Sequence, residues 1–240
     1  KQIYAELMSH ELKLPLVRLV DGTGGGGSVD SMDDLGYAYV PVNPGWDHVV
    51  SNLGRVPVVS AALGSVAGLG SARVVASHFS VMVKDIAQMF IAGPLIVKYG
   101  MGQDLSREEL GGAHIHAASG AIDNIVDTEE EAFEHIRRFL SYLPNNVWKM
   151  PPIIECEDSP DRREEDLISI IPKNRRQPYK VRDILNMVFD KESVFEMGRF
   201  YGGDTVTGFA RLNGHPVGFL ANDPLVGGGG LSVKSSHKIE

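Results

Sequence analysis

The chain carries a single cysteine, Cys156, among 240 residues. That scarcity excludes an internal disulfide and any zinc site built on cysteines. Long apolar runs are missing too. No stretch approaches the roughly 20 residues a membrane helix needs, and the N-terminal KQIYAELMSHELK lacks the apolar core of a secretion signal. Basic charge is in short supply: 23 Lys and Arg stand against 31 Asp and Glu, for a net charge of −8. The cations are scattered apart from RR at 162–163 and KNRR at 173–176. Nucleic-acid binding, which draws on many phosphate contacts, is therefore not expected, and neither is a membrane partner.

What remains is 43% hydrophobic and 22% charged, the balance of an ordinary globular protein. The length admits one large domain or two modest ones. The first residue is not Met, and the last stretch, SSHKIE, reads as the approach to a helix, so a partial chain is expected. Cytoplasm and mitochondrial matrix are the compartments this texture suits.

Hydrophobic periodicity organises the chain. Residues 1–13 are helical in pattern with Ile3, Leu7 and His10 on one face, and LPLVRLV at 14–20 reads as a short strand closed by the loop DGTGGGGSVDS. VPVVSAALG is a second buried strand. After GSVAGLGSA, residues 64–72, come a short helix and the strand FSVMV, so strand, glycine turn, helix, strand is the repeating unit. Ser106, followed by Glu108 and Glu109, signs a helix start. Residues 128–144 form an amphipathic helix with Ala132, Ile136, Phe139 and Leu140 in one stripe, its glutamates early and its arginines late. Beyond Pro144 the sequence turns proline-rich and aperiodic, as a connector does. A helix begins near Tyr179, and strands 208–212 and 216–221 flank Asn213-Gly214, the strongest short hairpin signal. These changes divide the chain into 1–150, a connector at 151–178, and 179–240.

Candidate chemistry is sparse. No G-x-S-x-G elbow is present, and nothing orients a base for a hydrolase triad. His114 and His116 stand at i, i+2, on one face if that segment is extended, where packing or hydrogen bonding explains them as well as a metal does; no metal is expected. GTGGGG lacks the Lys and Ser/Thr of a P-loop and reads equally as a flexible loop. The stretch at 64–72 is more informative. Where a buried strand turns into a helix, the first helical N–H groups have no partner inside the helix. Glycine removes the Cβ that keeps a ligand away, and no acidic residue occurs from 64 to 77, so an anionic oxygen could be held by amides alone. Tight packing of helix on sheet through small residues explains the same letters.

A wider pattern surrounds that stretch. MFIAGPLIVKYGMGQDLSREELGGAHIHAASGAIDN, residues 89–124, resembles F-x-x-G-P-x-x-V-K followed by E-x-L-G-G-A-x-x-H and S-G of the biotin-dependent acyl-CoA carboxyltransferases. These are the β subunits of propionyl-CoA and methylcrotonyl-CoA carboxylases. LSYLPNN at 140, QPYKVRDIL at 177 and GFARLNGHPVGFLANDP at 208 match further stations in order, so the resemblance covers nearly the whole chain. It implies an α/β, crotonase-like fold of ββα units wound into a spiral. The chain would hold most of a first domain and the beginning of a second, truncated one.

The resemblance also implies a mechanism. Carboxybiotin, delivered by a partner, releases CO2; the biotin anion takes the α-proton of an acyl-CoA; the thioester enolate attacks CO2. Backbone N–H groups hold the enolate oxygen, so no side-chain base is required. On that pattern Gly68, Leu69 and Gly70 are the donor region. Gly24, Gly25, Phe90, Gly93 and Pro94 fall on the acyl-CoA side, although a core role accounts for Phe90 equally well. Biotin carboxylase and biotin carrier components are implied as partners, and a homo-oligomer as the assembly. No A-M-K-M occurs, so biotin must be carried elsewhere. The usual A-G-G-A is here A-G-L-G, so that Leu69 narrows the acyl pocket, and the usual D-S-G-G-A-R loop is DGTGGGG without its arginine. A second oxyanion site, for biotin, belongs to a segment beyond Glu240. A decarboxylase running the reverse transfer, and a non-catalytic CoA-binding homologue of the same fold, remain the alternatives.

Overall fold

In the computed structural model, residues 2–22, 29–37, 45–159, 161–174 and 176–240 are described; Gly24 and Gly25 lie outside them. Two stretches decide the architecture, VVSAA and FSVMV, in which every residue is buried. Strands covered on both faces have no polar alternation to spare, and such runs are the mark of a parallel sheet. They are the central strands of a four-stranded sheet. The elements in chain order are α1 (Gln2–Leu12), β1 (Leu16–Val20), α2 (Val29–Leu35), α3 (Trp46–Ser51), β2 (Val58–Ala62), β3 (Ser65–Ala67), α4 (Leu69–Val75) and β4 (Phe79–Val83). Then come β5 (Gln88–Phe90), α5 (Pro94–Met101), α6 (Arg107–Gly111), α7 (Ala113–Ser119), β6 (Asn124–Val126) and α8 (Glu129–Ser141). After the connector follow α9 (Val181–Val188), β7 (Phe195–Met197), β8 (Thr205–Leu212), β9 (His215–Asn222) and α10 (Val233–Ile239).

β1, β2, β4 and β6 lie side by side in that order, all parallel, with Val59 opposite Phe79 in the central pair. β3 and β5 form a separate parallel pair. The core gathers on the face of β2 and β4 that α8 covers. There the Phe79 ring stacks on Phe139 at 5.0 Å, and Ala132 and Ile136 complete the contact. Thr128 starts α8 by accepting from the Glu131 amide at 3.1 Å, as the acidic first turn foretold.

The C-terminal part is antiparallel, in the order β7-β8-β9. Asn213 (φ 49°) and Gly214 (φ 77°) both take left-handed conformations, the turn an Asn-Gly pair favours; β8 begins three residues earlier than the sequence suggested and β9 is one residue longer at each end, because pairing continues to Thr205 and Asn222. This sheet is docked on the first. Phe195 meets Phe79 edge-on at 5.3 Å, and Asn124 donates to Glu196 O at 3.1 Å while accepting from the Gly198 amide at 3.3 Å. The connector is mostly irregular and is tied to the hairpin by Arg211, which donates to Pro152 O at 3.0 Å.

Two local expectations change. α1 buries Glu6 and Ser9, whereas Ile3 is 41% exposed, because Glu6 has a partner inside the protein that outweighs apolar burial. His114 and His116 are not on an extended segment. They sit in α7, which Gly112 opens and Gly120 closes in the left-handed conformation (φ 80°), so the two rings point to different sides of a helix. No helix among the described residues is long and apolar enough to cross a membrane.

Candidate active site at the ends of two paired strands

β3 and β5 pair with Ala67 opposite Phe90, and each runs almost at once into a helix. The first junction is Gly68. Its φ of 61° and ψ of −124° suit glycine alone, and a Cβ there would meet nothing within 4 Å, so conformation rather than space dictates the residue. The Gly68 amide donates to Phe90 O at 2.9 Å. The structure therefore corrects one candidate: the Gly68 N–H extends the β3–β5 pairing and is not free to hold a ligand.

The next two amides differ. The first helical bond of α4 runs from Ala72 N to Gly68 O at 3.2 Å, which leaves the amides of Leu69 and Gly70 ahead of it. Neither has an acceptor among the described residues. Both residues line a cavity of about 470 Å³ bounded by α1, β1 and α4. Gly70 also serves packing, since a Cβ at that position would lie 2.8 Å from Val66 Cγ1. The packing explanation of the glycines therefore holds at Gly70. Ser71 secures the junction, its hydroxyl placed 3.0 Å from both Val66 O and Phe90 O.

The far end of α4 is held by a residue the sequence reading passed over. Arg18 sits in β1 and is buried. It donates to Glu6 through Nε at 2.8 Å and Nη2 at 3.0 Å, and to Arg73 O at 3.1 Å and Ala76 O at 2.5 Å through Nη1. Asn52 Nδ2 adds a further bond to Glu6 Oε2 at 3.1 Å. One guanidinium thereby satisfies carbonyls in the last turn of α4 while its own charge is matched. An arginine in the middle of LPLVRLV was the available signal, because a cation in an otherwise apolar strand demands a partner. Arg73 lies over the Trp46 ring at 5.4 Å and donates to Gln2 Oε1 at 3.0 Å, closing the outer side of the cavity.

The second junction is Gly93-Pro94. These two residues line a different cavity, of about 490 Å³, with Leu105 and Ser106 across from them. Phe90 belongs to neither cavity lining; its ring is buried, and a Cβ on Gly111 would come within 2.7 Å of it. What Phe90 brings to the first junction is its carbonyl. Among the histidines, His116 Nε2 lies 2.9 Å from Met89 O, and the His114 ring packs 6.0 Å from Phe200.

Cys156, Asp158 and Asp190 place their polar atoms within 4.8 Å of one another, yet those atoms have other work. Asp158 accepts from Arg162 and from the Lys191 amide, and Asp190 accepts from the amides of Asn213 at 2.9 Å and Gly214 at 2.7 Å. Burial raises the Asp190 pKa, but those two amides and the Cys156 thiol outweigh it and hold the carboxyl below its ordinary value. The group organises the hairpin turn.

Comparison with known proteins gives this geometry its context. A family model described as carboxyl transferase domain matches residues 11–240. The chain is 41% identical over 186 residues to the carboxyltransferase subunit of propionyl-CoA carboxylase from Haloferax mediterranei, covering 77% of this chain and 36% of that one. It is 31% identical over 240 residues to the methylmalonyl-CoA decarboxylase subunit alpha of Veillonella parvula, covering 99% and 46%. Among solved structures, the transcarboxylase 12S hexamer with hydrolysed methylmalonyl-coenzyme A bound superposes with a TM-score of 0.84 at 29% identity, over 98% of this chain and 46% of that one. The chain thus spans less than half the length of each of these relatives. By the family match, the parallel βα winding and the likeness to these structures, this chain belongs to the carboxyl transferase domain family and has its crotonase-like α/β fold.

Proposed function

We propose that this chain is the acyl-CoA side of a biotin-dependent acyl-CoA carboxyltransferase, and that the amides of Leu69 and Gly70 hold the thioester oxygen. The observation that carries the reading is that Leu69 and Gly70, whose amides have no acceptor among the described residues, both line a cavity of about 470 Å³. When the α-proton leaves, negative charge collects on the thioester oxygen. Two aligned N–H dipoles in a cleft stabilise that charge, with one donor typically worth about 2.7–4 kcal/mol. Carboxylated biotin, borne on another chain or domain, supplies the CO2. This chain's own residues bind the thioester, hold its oxygen and keep the α-carbon at the mouth of the cavity. The product is a malonyl-type CoA.

Other parts of the reading follow from the relatives. The transcarboxylase core named as a hexamer supports a homo-oligomer, and the carboxylase subunits support biotin carboxylase and biotin carrier components as partners. The decarboxylase relative favours a second direction, since the same oxygen must be stabilised when a malonyl-type thioester loses its carboxylate. The division at 1–150, 151–178 and 179–240 is retained, supported by the change from parallel to antiparallel pairing across the connector.

Isothermal titration of the chain with acetyl-CoA, propionyl-CoA and free CoA tests the reading. Thioesters are expected to bind more tightly than free CoA, and L69P to abolish that difference. No binding of any thioester at millimolar concentration would sink it and leave the non-catalytic alternative.

A further inference from the structure

α1 bounds the cavity before Leu69 and Gly70 with Gln2 and Glu6, while Val17 and Leu19 of β1 and Leu69 and Arg73 of α4 stand around it. The attachment of this helix is inverted. A surface helix normally turns its apolar stripe toward the core. In α1 the buried residues are Glu6 and Ser9, whereas Ile3, Tyr4, Met8 and Leu12 are 40–68% exposed. Tyr4, Met8 and Leu12 stand four residues apart, so an apolar stripe faces outward and the polar side faces the protein.

What holds α1 down is therefore largely polar, and the ties differ along its length. At the C-terminal end they are local: the Leu14 amide donates to Ser9 O at 3.3 Å, the Ser9 hydroxyl donates to Leu14 O at 2.7 Å, and Lys13 turns the chain in a left-handed conformation (φ 56°). His10 keeps its place beside that turn, its Nδ1 lying 3.1 Å from Asn52 Oδ1. Toward the N-terminal end the ties reach across the cavity, from Glu6 to Arg18 and from Gln2 Oε1 to Arg73 Nη1 at 3.0 Å. Truncating one member of a buried ion pair strands the other, but lifting the helix returns Glu6 and Arg18 to water together, which costs far less. A segment with few buried apolar contacts opens well below the free energy of global unfolding.

We propose that α1 is a lid, hinged at Lys13 and latched by Glu6 and Gln2, whose opening admits the thioester to the cavity. The identity of the ligand rests on the reading of the Leu69 and Gly70 amides as its anchor; the opening of the helix does not. Arg73 completes the rim when the lid is down, since it lines the cavity, lies over the Trp46 ring and holds Gln2.

Hydrogen exchange read by mass spectrometry, together with a reversible lock, tests the lid. A Cβ on Gly45 would stand 3.5 Å from Ile3 Cβ, a separation that a disulfide spans, so I3C/G45C in a C156S background ties α1 to the start of α3. In the unaltered chain the amides of residues 4–8 are expected to exchange at least about 100-fold faster than those of β2 and β4, and to slow when propionyl-CoA is added. E6Q should speed their exchange about tenfold while leaving β2 and β4 unchanged. Oxidation of I3C/G45C should slow that exchange and lower the association rate of propionyl-CoA at least about tenfold in stopped-flow tryptophan fluorescence, and dithiothreitol should restore both. Exchange of residues 4–8 as slow as that of β2 overturns the lid, and so does an association rate that oxidation leaves unchanged. If the double variant does not fold, an unaltered exchange rate in E6Q overturns the latch. Propionyl-CoA binding to neither form overturns the thioester reading and the gating with it, and the exchange rates alone then decide whether the helix opens.

Discussion

Two junctions leave the same pair of strands, and they differ in what they expose. Gly68-Leu69-Gly70 follows β3, and Gly93-Pro94-Leu95 follows β5. Each begins a helix with a glycine that carries no side-chain cap. At the second, proline occupies the first helical position and has no N–H to give, while the amides of Ile96 and Val97 fold back onto Gly93 O at 3.0 and 3.2 Å. At the first, the corresponding position is Leu69, with its donor intact, and neither its amide nor that of Gly70 has an acceptor among the described residues. A helix start is common to both; an array of donors in front of a cleft belongs to one. Orphan amides alone do not make a site, and the residue at the first helical position decides whether the array is complete.

The comparison can be broken from its far side. E6A leaves Arg18 buried without its anion and loosens the last turn of α4, which only the first junction uses. A loss of about 3–5 kcal/mol is expected, read as a lower urea midpoint, together with weakened acyl-CoA binding. If binding survives at temperatures where the variant is folded, the Arg18 clamp does not position the amides.

Exchanging the first helical residue is the more direct probe. L69P removes a donor at a position that tolerates proline, and P94A adds one at the other junction. In the assembled enzyme, L69P should lower kcat by about 10²- to 10³-fold, as loss of an oxyanion donor does, while P94A leaves kcat unchanged. A fall of equal size in P94A would move the site to the second junction. G70A sharpens the packing side of the same comparison. Its Cβ would press on Val66 Cγ1, so a cost of about 1–3 kcal/mol is expected in thermal unfolding, whereas G93A, with open space around it, should cost less.

Smaller still is S71A, which deletes a hydroxyl shared by Val66 O and Phe90 O and should cost about 1 kcal/mol. If the hydroxyl aligns α4 with the strand pair, S71T restores the acyl-CoA affinity that S71A loses. A last effect is common to both junctions. Burial and the nearby Arg138 hold the His135 imidazole below its ordinary pKa. The unfolded chain therefore takes up the proton first, so stability is fully present above about pH 6.5 and declines as pH falls below it. H135Q should flatten the dependence of the urea midpoint between pH 5 and 7; an unaltered slope would assign it to other groups.

How much of this was legible depended on whether a signal was local. VPVVSAAL and FSVMV are buried on both sides, and Asn213-Gly214 is a turn in any context, so these elements emerge from the letters. The capping box of Ser106 and Glu109 formed as the spacing foretold. α7 was misjudged because the spacing of His114 and His116 was considered without the glycines that bound it, which enclose about two helical turns. At the site, GSVAGLGSA marked the junction but could not rank its amides. What separates the Gly68 amide from those of Leu69 and Gly70 is a carbonyl from residue 90, far along the chain, that faces it.

Residue pattern by itself determined the long buried strands, the amphipathic helix and the hairpin turn, and that residues 64–77 carry no acidic side chain. Those are consequences of local sterics and of apolar periodicity, which act within a few residues. Tertiary structure decided which amides of the junction find an acceptor among the described residues, that Arg18 reaches the end of α4, and that Val17, Leu19 and Leu69 share one cavity. Each of those facts depends on the pairing of strands distant in sequence, and a hydrogen bond or a wall exists only once both of its sides have been brought together.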